Sequence, residues 1–463
     1  DFASMATGNQ SFTGTTGDDV FIGAAGVDTI TTNTGTDIVL ASSGDDVITI
    51  DGTGNKTIDG GIGTDSLTIS ISNLADYTIS TSGDYLVLTD ASGNVIQYKN
   101  MESLTVGSYS YIEDTSNDTF WNSTERVVYM YDGGNTSFSE LSGFYSSPSS
   151  NFSLIGSGSD DYMNLNINRF GGMESAQYLT GNMTISMGDG NDSIGAARFK
   201  NSDSIDMGAG DDSIGIYVTN SSGTPSYASL DMTKLDGGTG TDTLNFGNMG
   251  TQGSTELTLT GGGAVNFENI TGSSGADIIR GDTGNNALRG DDGDDTIYGG
   301  AGNDALAGWF LQSATTAASF NDDDMKSNST DSSRNSNDTL YGQAGNDLLV
   351  GTYGNNTLDG GTGADTIYSG SGSDTIVLRV GDGGNTLAAA DTIADFTDGS
   401  DVLGLDDGLQ YTDLTIAQSG SDTVISAGSE YLAILTGVSA SNINYFDFAS
   451  MATGNQSFTG TTG

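Results

Sequence analysis

An apolar residue returns every nine positions along much of the chain, and the residues around it keep the same order each time. The recurring unit reads G-G-x-G-x-D-x-U-x, where U is a large apolar side chain. Nineteen copies fall into four blocks. The first block starts copies at Gly14, Gly23, Thr32, Ala41, Asp51 and Gly60, with one extra residue at Ile50. The second starts them at Met187, Arg198, Met207 and Gly237, and the third at Gly272, Gly281, Gly290 and Gly299. The fourth starts at Ser333, Gly342, Gly351, Gly360 and Ser369. The eighth position is apolar in all 19 copies. The fourth is glycine in 17 (Asn201 and Ser336 differ), and the sixth is aspartate in 16 (Lys56, Asn286 and Asn356 differ).

Each position has a physical reason. The last residues of a copy form a short strand whose single apolar side chain points inward. The glycine-rich half turns the chain, because glycine takes the positive φ angles such turns need. Two copies then make one coil of about 18 residues, and coils stack about 4.8 Å apart as parallel strands. Equivalent turns come to lie one above another: Asp19 near Asp37, Asp28 near Asp46, Asp277 near Asp295, Asp347 near Asp365. The expected fold is all-β, a parallel β-roll (β-solenoid) of nonapeptides in several blocks interrupted by β-rich insertions.

The organisation follows from where the period holds and where it lapses. Roll blocks are expected over 1–68, 187–245 (with loops), 272–308 and 333–377. Between them lie a β-rich Tyr/Ser/Thr insertion over 69–186, a β-rich connector over 246–271 and an acidic surface loop over 309–332. A β-rich closing segment takes 378–446. In the insertion, YLVLTD, ERVVYMY and YMNLNINRF alternate in strand fashion; its aromatics suit either a lateral contact surface or ordinary core packing. Asp322, Asp323 and Asp324 in the loop are a candidate for an extra cation. Sequons such as Asn122, Asn182 and Asn328 follow from the Asn/Ser/Thr-rich composition and carry no glycosylation claim.

Residues 1–17 and 447–463 are the same seventeen residues, DFASMATGNQSFTGTTG. A longer tandem array with a period of 446 residues is the expectation, and 447–463 is then the start of the next unit. No signal peptide is visible and residue 1 falls in mid-pattern, so the natural chain is expected to extend further.

Charge decides what the stacked aspartates need. The chain has 61 acidic against 12 basic residues, a formal charge of −49. Such a surface repels nucleic acid and anionic membrane, and no apolar run is long enough to span a bilayer. Stacked bare carboxylates are strongly destabilising. Calcium between each pair reverses the sign, taking carboxylates from both turns and carbonyls from the glycine loops. The candidate ligands are Asp19, Asp28, Asp37, Asp46, Asp65, Asp192, Asp203, Asp212, Asp242, Asp277, Asp295, Asp304, Asp338, Asp347, Asp365 and Asp374. With neither cysteine nor histidine, zinc, haem and iron–sulfur chemistry lose their usual ligands, and no Ser–His–Asp arrangement can form. The glycine loops lack a P-loop lysine, and acidic pairs repeated at every turn suit a cation ladder better than a glycosidase pair. No enzyme is expected.

GDDGDDTIYGGAGNDALAG and GGTGADTIYSGSGSDTIVL resemble the RTX, or haemolysin-type calcium-binding, repeats of proteins exported by type I secretion. DTIADFTDGSDVLGL and EYLAILTGVSASNINYF (391–405 and 430–446) are similar to the closing segment of cyanobacterial RTX proteins, and 75–107 is similar to their β-rich interruptions. The resemblance implies multiple structural Ca2+ ions and a roll that folds outside the cell on meeting calcium. Lys56 cannot ligate calcium, and Ala24, Ala25, Thr32, Asn33, Ala41 and Ser42 replace leading glycines; sites at those turns are expected to be weak or empty. The functional expectation is an extracellular filament, sheath or S-layer-like coat, with the repetitive spacer of a giant RTX adhesin as the alternative. Expected partners are copies of the chain itself, joined head to tail through the repeated segment or in lateral contact, and cell-surface polysaccharide.

Overall fold

The structure is a computed structural model. It describes residues 8–70, 73–114, 118–131, 133–136, 149–164, 181–197, 203–216, 232–247, 256–259, 263–309 and 336–451. Asp322, Asp323, Asp324 and Asn328 lie outside the described residues, as do parts of YMNLNINRF and of the repeated segments. The described residues are all-β, with short 3-10 turns as their only helical elements. The chain divides into two compact units, 1–212 with 238–240, and 213–237 with 241–463.

In the first unit alternate nonapeptides feed alternate sheets. Ser11–Thr13, Thr29–Thr32, Val47–Ile50, Ser66–Ile69 and Ser103–Val106 pair in parallel, aligning Phe12 with Ile30, Ile30 with Ile48, Ile48 with Leu67 and Leu67 with Leu104. Val20–Ile22, Asp37–Leu40, Lys56–Asp59 and Val95–Lys99 form the other sheet. The eighth-position side chains Phe21, Ile30, Val39, Ile48, Ile58 and Leu67 join one buried cluster. An antiparallel hairpin, Tyr77–Ser82 with Tyr85–Asp90, then covers the edge at Val95–Lys99, removing an open template for further pairing. Tyr98, Tyr111, Phe120, Tyr129 and Tyr131 are buried in the same cluster, so these aromatics of the insertion serve the core.

The second unit repeats the plan. Asn269–Thr271, Ala287–Arg289, Ala305–Ala307, Leu348–Val350, Thr366–Tyr368, Asp391–Ile393 and Glu430–Leu435 pair in parallel, and an antiparallel hairpin of Asp422–Ala427 and Leu414–Ser419 ends the sheet. Its companion sheet runs from Glu256–Thr258 through Ile278–Arg280, Thr296–Ala301, Thr339–Ala344, Thr357–Thr362, Thr375–Leu378 and Val402–Leu405 to Phe448–Ser450. Ile297 aligns with Leu340 although 43 residues separate them, so the segment between blocks three and four leaves the register intact. Tyr298 and Tyr341, one coil apart, stack with ring centroids 4.9 Å apart, which is the strand spacing itself. All 19 eighth-position side chains are buried.

Candidate metal centre

The glycine turns bring the sixth-position carboxylates into columns. In a column, the backbone N–H of one residue donates to Oδ1 of its counterpart one coil later. Asp19 donates to Asp37 at 2.9 Å, and Asp28 to Asp46 and Asp46 to Asp65 at 2.7 Å. Asp192 donates to Asp212 at 2.7 Å. In the second unit one column runs Asp277, Asp295, Asp338, Asn356, Asp374, and the other runs Asn286, Asp304, Asp347, Asp365. Asn286 and Asn356 thus keep the ladder while contributing no charge. Asp203 accepts instead from the Met183 N–H, and the Asp242 N–H donates to Glu268. Fifteen of the sixteen candidate aspartates are buried; Asp19 is half-buried.

Five acidic residues missed by the nonapeptide rule join these columns. Asp65 donates to Glu102, Asp161 to Asp192, Asp242 to Glu268, Asp365 to Asp391 and Asp374 to Asp401. Each stands two residues before a buried apolar side chain (Leu104, Met163, Ile270, Ile393, Leu403), so an acidic residue at that spacing is the signal that would have found them. Outside these columns, the fifth position builds a second ladder through Asn and Asp side chains. The Asn346, Asn355 and Ala364 N–H groups donate to Asn303, Asn337 and Asn346 at 2.8, 2.8 and 2.9 Å.

Apart from Asp37, whose Oδ2 faces Lys56 with no positive φ at Asn33, the second carboxylate oxygen adopts two main states that follow the backbone at position two. In leading turns that N–H turns inward and caps it: Thr15 to Asp19, Ala24 to Asp28, Ser157 to Asp161 and Ser273 to Asp277. In the following turns position two takes a positive φ, as at Ser42, Gly61, Gly188, Asp291, Gly300, Gln343, Gly361 and Gly370. There Oδ2 of Asp46, Asp65, Asp192, Asp295, Asp304, Asp347, Asp365 and Asp374 is buried with no hydrogen-bond partner. Asp46 belongs to this group although Ala41 and Ser42 stand in place of its leading glycines, so their loss does not change its placement.

Bare buried carboxylates are expensive, and their titration reflects it. Burial, opposed by the ladder hydrogen bond and reinforced by neighbouring aspartates, pushes Asp295 up to about 9 and Asp347 up to about 8. The same balance carries Asp192 and Asp374 to about 7. Asp304 rises to about 7, mainly through burial. Away from the corners, buried Asp359 and half-buried Asp382 have a partner already, the Arg379 guanidinium.

This donor set fits a hard cation. Among the described residues no group of three or more acidic side chains converges on one point. A cation at a corner would therefore draw on two carboxylates at most and would complete its shell with turn carbonyls, within the all-oxygen chemistry of calcium. Fourth-position glycines keep that carbonyl column open: a Cβ on Gly345 would lie 1.5 Å from the Gly302 oxygen, and one on Gly363 would lie 1.6 Å from that of Gly345. First-position glycines make room for the carboxylate, since a Cβ on Gly290 or Gly360 would lie 2.1 or 2.2 Å from Oδ2 of Asp295 or Asp365. Gly308 plays the same part for Asp338, at 2.0 Å. When bound, calcium supplies the positive charge these oxygens lack.

The model of the RTX calcium-binding nonapeptide repeat (4 copies) matches residues 8–48, 271–306, 334–352, 341–376 and 350–387. The chain is an RTX repeat protein. Its RTX repeats are of the calcium-binding kind, and the parallel roll is their architecture here. No curated protein matches the chain. Among solved structures, the extracellular lipase LipA from Serratia marcescens is similar at 15% identity, over 96% of this chain and 40% of the lipase, with a TM-score of 0.21. Neither the activity nor the architecture of the lipase is carried to this RTX protein. Among the described residues, no helix is long and apolar enough to cross a membrane.

Proposed function

We propose that this RTX protein is a secreted, calcium-stabilised structural protein without catalytic activity, a 446-residue period of an extracellular filament, sheath or S-layer-like coat. One observation carries the reading. Phe448–Ser450 belongs to the segment duplicated from the start of the chain, and it pairs in parallel with Leu403–Leu405 as a further rung of the second unit's sheet. Asp447, two residues before Ala449, is buried like the column aspartates. The first residues of a following period would thus be the last rung of the preceding one, leaving no linker between them. Calcium-poor cytosol keeps such a chain unfolded for type I export, and calcium outside the cell folds it.

Electron microscopy of the calcium-loaded protein and of the producing cell surface tests the proposal. Filaments or a lattice with a regular axial repeat are the expected result. Isolated thin stalks ending in a head would transfer the chain to the adhesin-spacer class, and dispersed single particles in both samples would remove the assembly reading.

A further inference from the structure

One sixth position carries the opposite charge. Lys56 stands where sixteen of the nineteen copies have aspartate, and it is fully buried. Its ammonium lies 3.2 Å from Asp37 Oδ2, one coil earlier. It donates to the carbonyls of Gly35, Thr53 and Gly54 at 2.7, 3.1 and 3.3 Å. Those oxygens come from the fourth position of the earlier turn and the third and fourth positions of its own. They are the donors expected around a cation at a corner, and here a side chain has reached them.

We propose that Lys56 is a tethered cation, occupying at this corner the place that calcium takes at corners built from two aspartates, so that the corner closes without metal and binds none. Charge balance supports the exchange. Two carboxylates with one Ca2+ sum to zero, and so do one carboxylate and one ammonium. The ladder adjusts in the same way: the Asp37 N–H, with no carboxylate at position 56 to receive it, donates to the Asn55 carbonyl at 2.9 Å. Strand register is kept, with Asp37–Leu40 paired to Lys56–Asp59. The first block thereby holds one pair of coils together by its own ammonium, a pin that works where free calcium is scarce.

The inference rests on the calcium reading of the other corners, and calcium stoichiometry separates the two. In the full chain, Lys56→Asp should bind one more calcium ion than wild type. Lys56→Met should bind no extra calcium, and in saturating calcium its Gly35 and Asp37 amides should exchange with deuterium roughly tenfold or more faster than in wild type. A folded Lys56→Asp chain with unchanged stoichiometry would overturn the proposal, as would wild-type exchange rates in Lys56→Met. If Lys56→Asp does not fold, the methionine variant decides. A wild type that binds no calcium at all would sink the calcium reading and this inference together, a result distinct from one in which wild type binds and the variant gains nothing.

Discussion

The first block contains two corners built by glycine-bearing turns but neutralised differently. At one, Asp37 faces the ammonium of Lys56. At the other, Asp46 and Asp65 each hold a buried Oδ2 with no hydrogen-bond partner. Backbone pairing is equally regular at both: Asp37–Leu40 lies against Lys56–Asp59, and Val47–Ile50 against Ser66–Ile69. The roll's geometry therefore comes from its glycines and its buried apolar row, whereas the charge to be neutralised at each corner is decided by one side chain per turn.

Withdrawing calcium should separate the two corners most strongly. Extracellular calcium modules bind with Kd of about 10⁻⁴–10⁻³ M. At calcium roughly ten times Kd, each site contributes about 1.4 kcal/mol by linkage. At two carboxylates per ion, the eight aspartates with bare oxygens make about four sites and represent on the order of 6 kcal/mol, within the stability range of an ordinary domain. Excess chelator at neutral pH should abolish most of the β-signal in circular dichroism, with the Asp37–Lys56 strands the last to lose amide protection. Unchanged spectra would refute the account of the bare corners.

Acid should replace calcium in part. The folded values of Asp192, Asp304, Asp347 and Asp295, about 7, 7, 8 and 9, lie above the unfolded value of 3.8. The native state thus binds more protons than the unfolded one across that window, and stability falls as pH rises. For the metal-free chain, the contribution of these groups is complete below about pH 4 and is lost as pH climbs through about 7 to 9. Melting temperatures in chelator should be highest in acid and fall as pH rises, until little folded transition remains near neutral pH, and calcium should suppress that dependence. A metal-free chain more stable at pH 9 than at pH 5 would contradict the shifts.

Lys56→Met comes next in size. Removing one partner of a buried pair typically costs about 3–5 kcal/mol, because the remaining charge stays buried. Denaturant unfolding in saturating calcium should show a loss of that order, whereas Asp46→Asn should show a smaller loss.

The comparison also marks how far the sequence could be read. The apolar eighth position, fixed in every copy, was enough to place all nineteen inward side chains and the one-coil stacking of aspartates. Asp161, Glu102, Glu268, Asp391 and Asp401 escaped notice because the rule asked for glycine turns; Ser159 stands where the copy around Asp161 would have its fourth-position glycine. The fifth-position ladder hid behind a position written as any residue. The choice between a capped and a bare carboxylate could not be read at all. It depends on the φ angle at position two, which is positive at Ser42, Asp291 and Gln343 even without glycine, whereas the Ala24 N–H turns inward to cap Asp28. Nor did the charge of Lys56 reveal that its ammonium would reach the carbonyls of two turns.

Gly360→Ala probes the space a carboxylate needs. The new methyl group would lie 2.2 Å from Asp365 Oδ2, so the carboxylate must move or the turn must open. Overpacking of this kind costs about 1–3 kcal/mol. The loss should appear with calcium present and be accompanied by weaker calcium binding. Gly8→Ala, where nothing lies within 4 Å of the added carbon, is the control and should leave both unchanged.

The smallest effect distinguishes bare turns from capped ones by its sign. Ser42 sits beside the bare Asp46 with φ at 86°, a conformation that strains any side chain with a Cβ, and Gly61 occupies the same position one coil later at 93°. Ser42→Gly relieves the strain, but glycine also gains freedom in the unfolded chain, so the net stabilisation should be at most about 1 kcal/mol. Ala24 holds the equivalent place in a capped turn without a positive φ, its N–H already bonded to Asp28 at 2.7 Å. There glycine relieves nothing and only the unfolded-state term remains, so Ala24→Gly should destabilise by about 0.5–1 kcal/mol. Chemical denaturation of both variants in saturating calcium measures the pair. Shifts of the same sign would mean that the backbone at position two does not set the two carboxylate states.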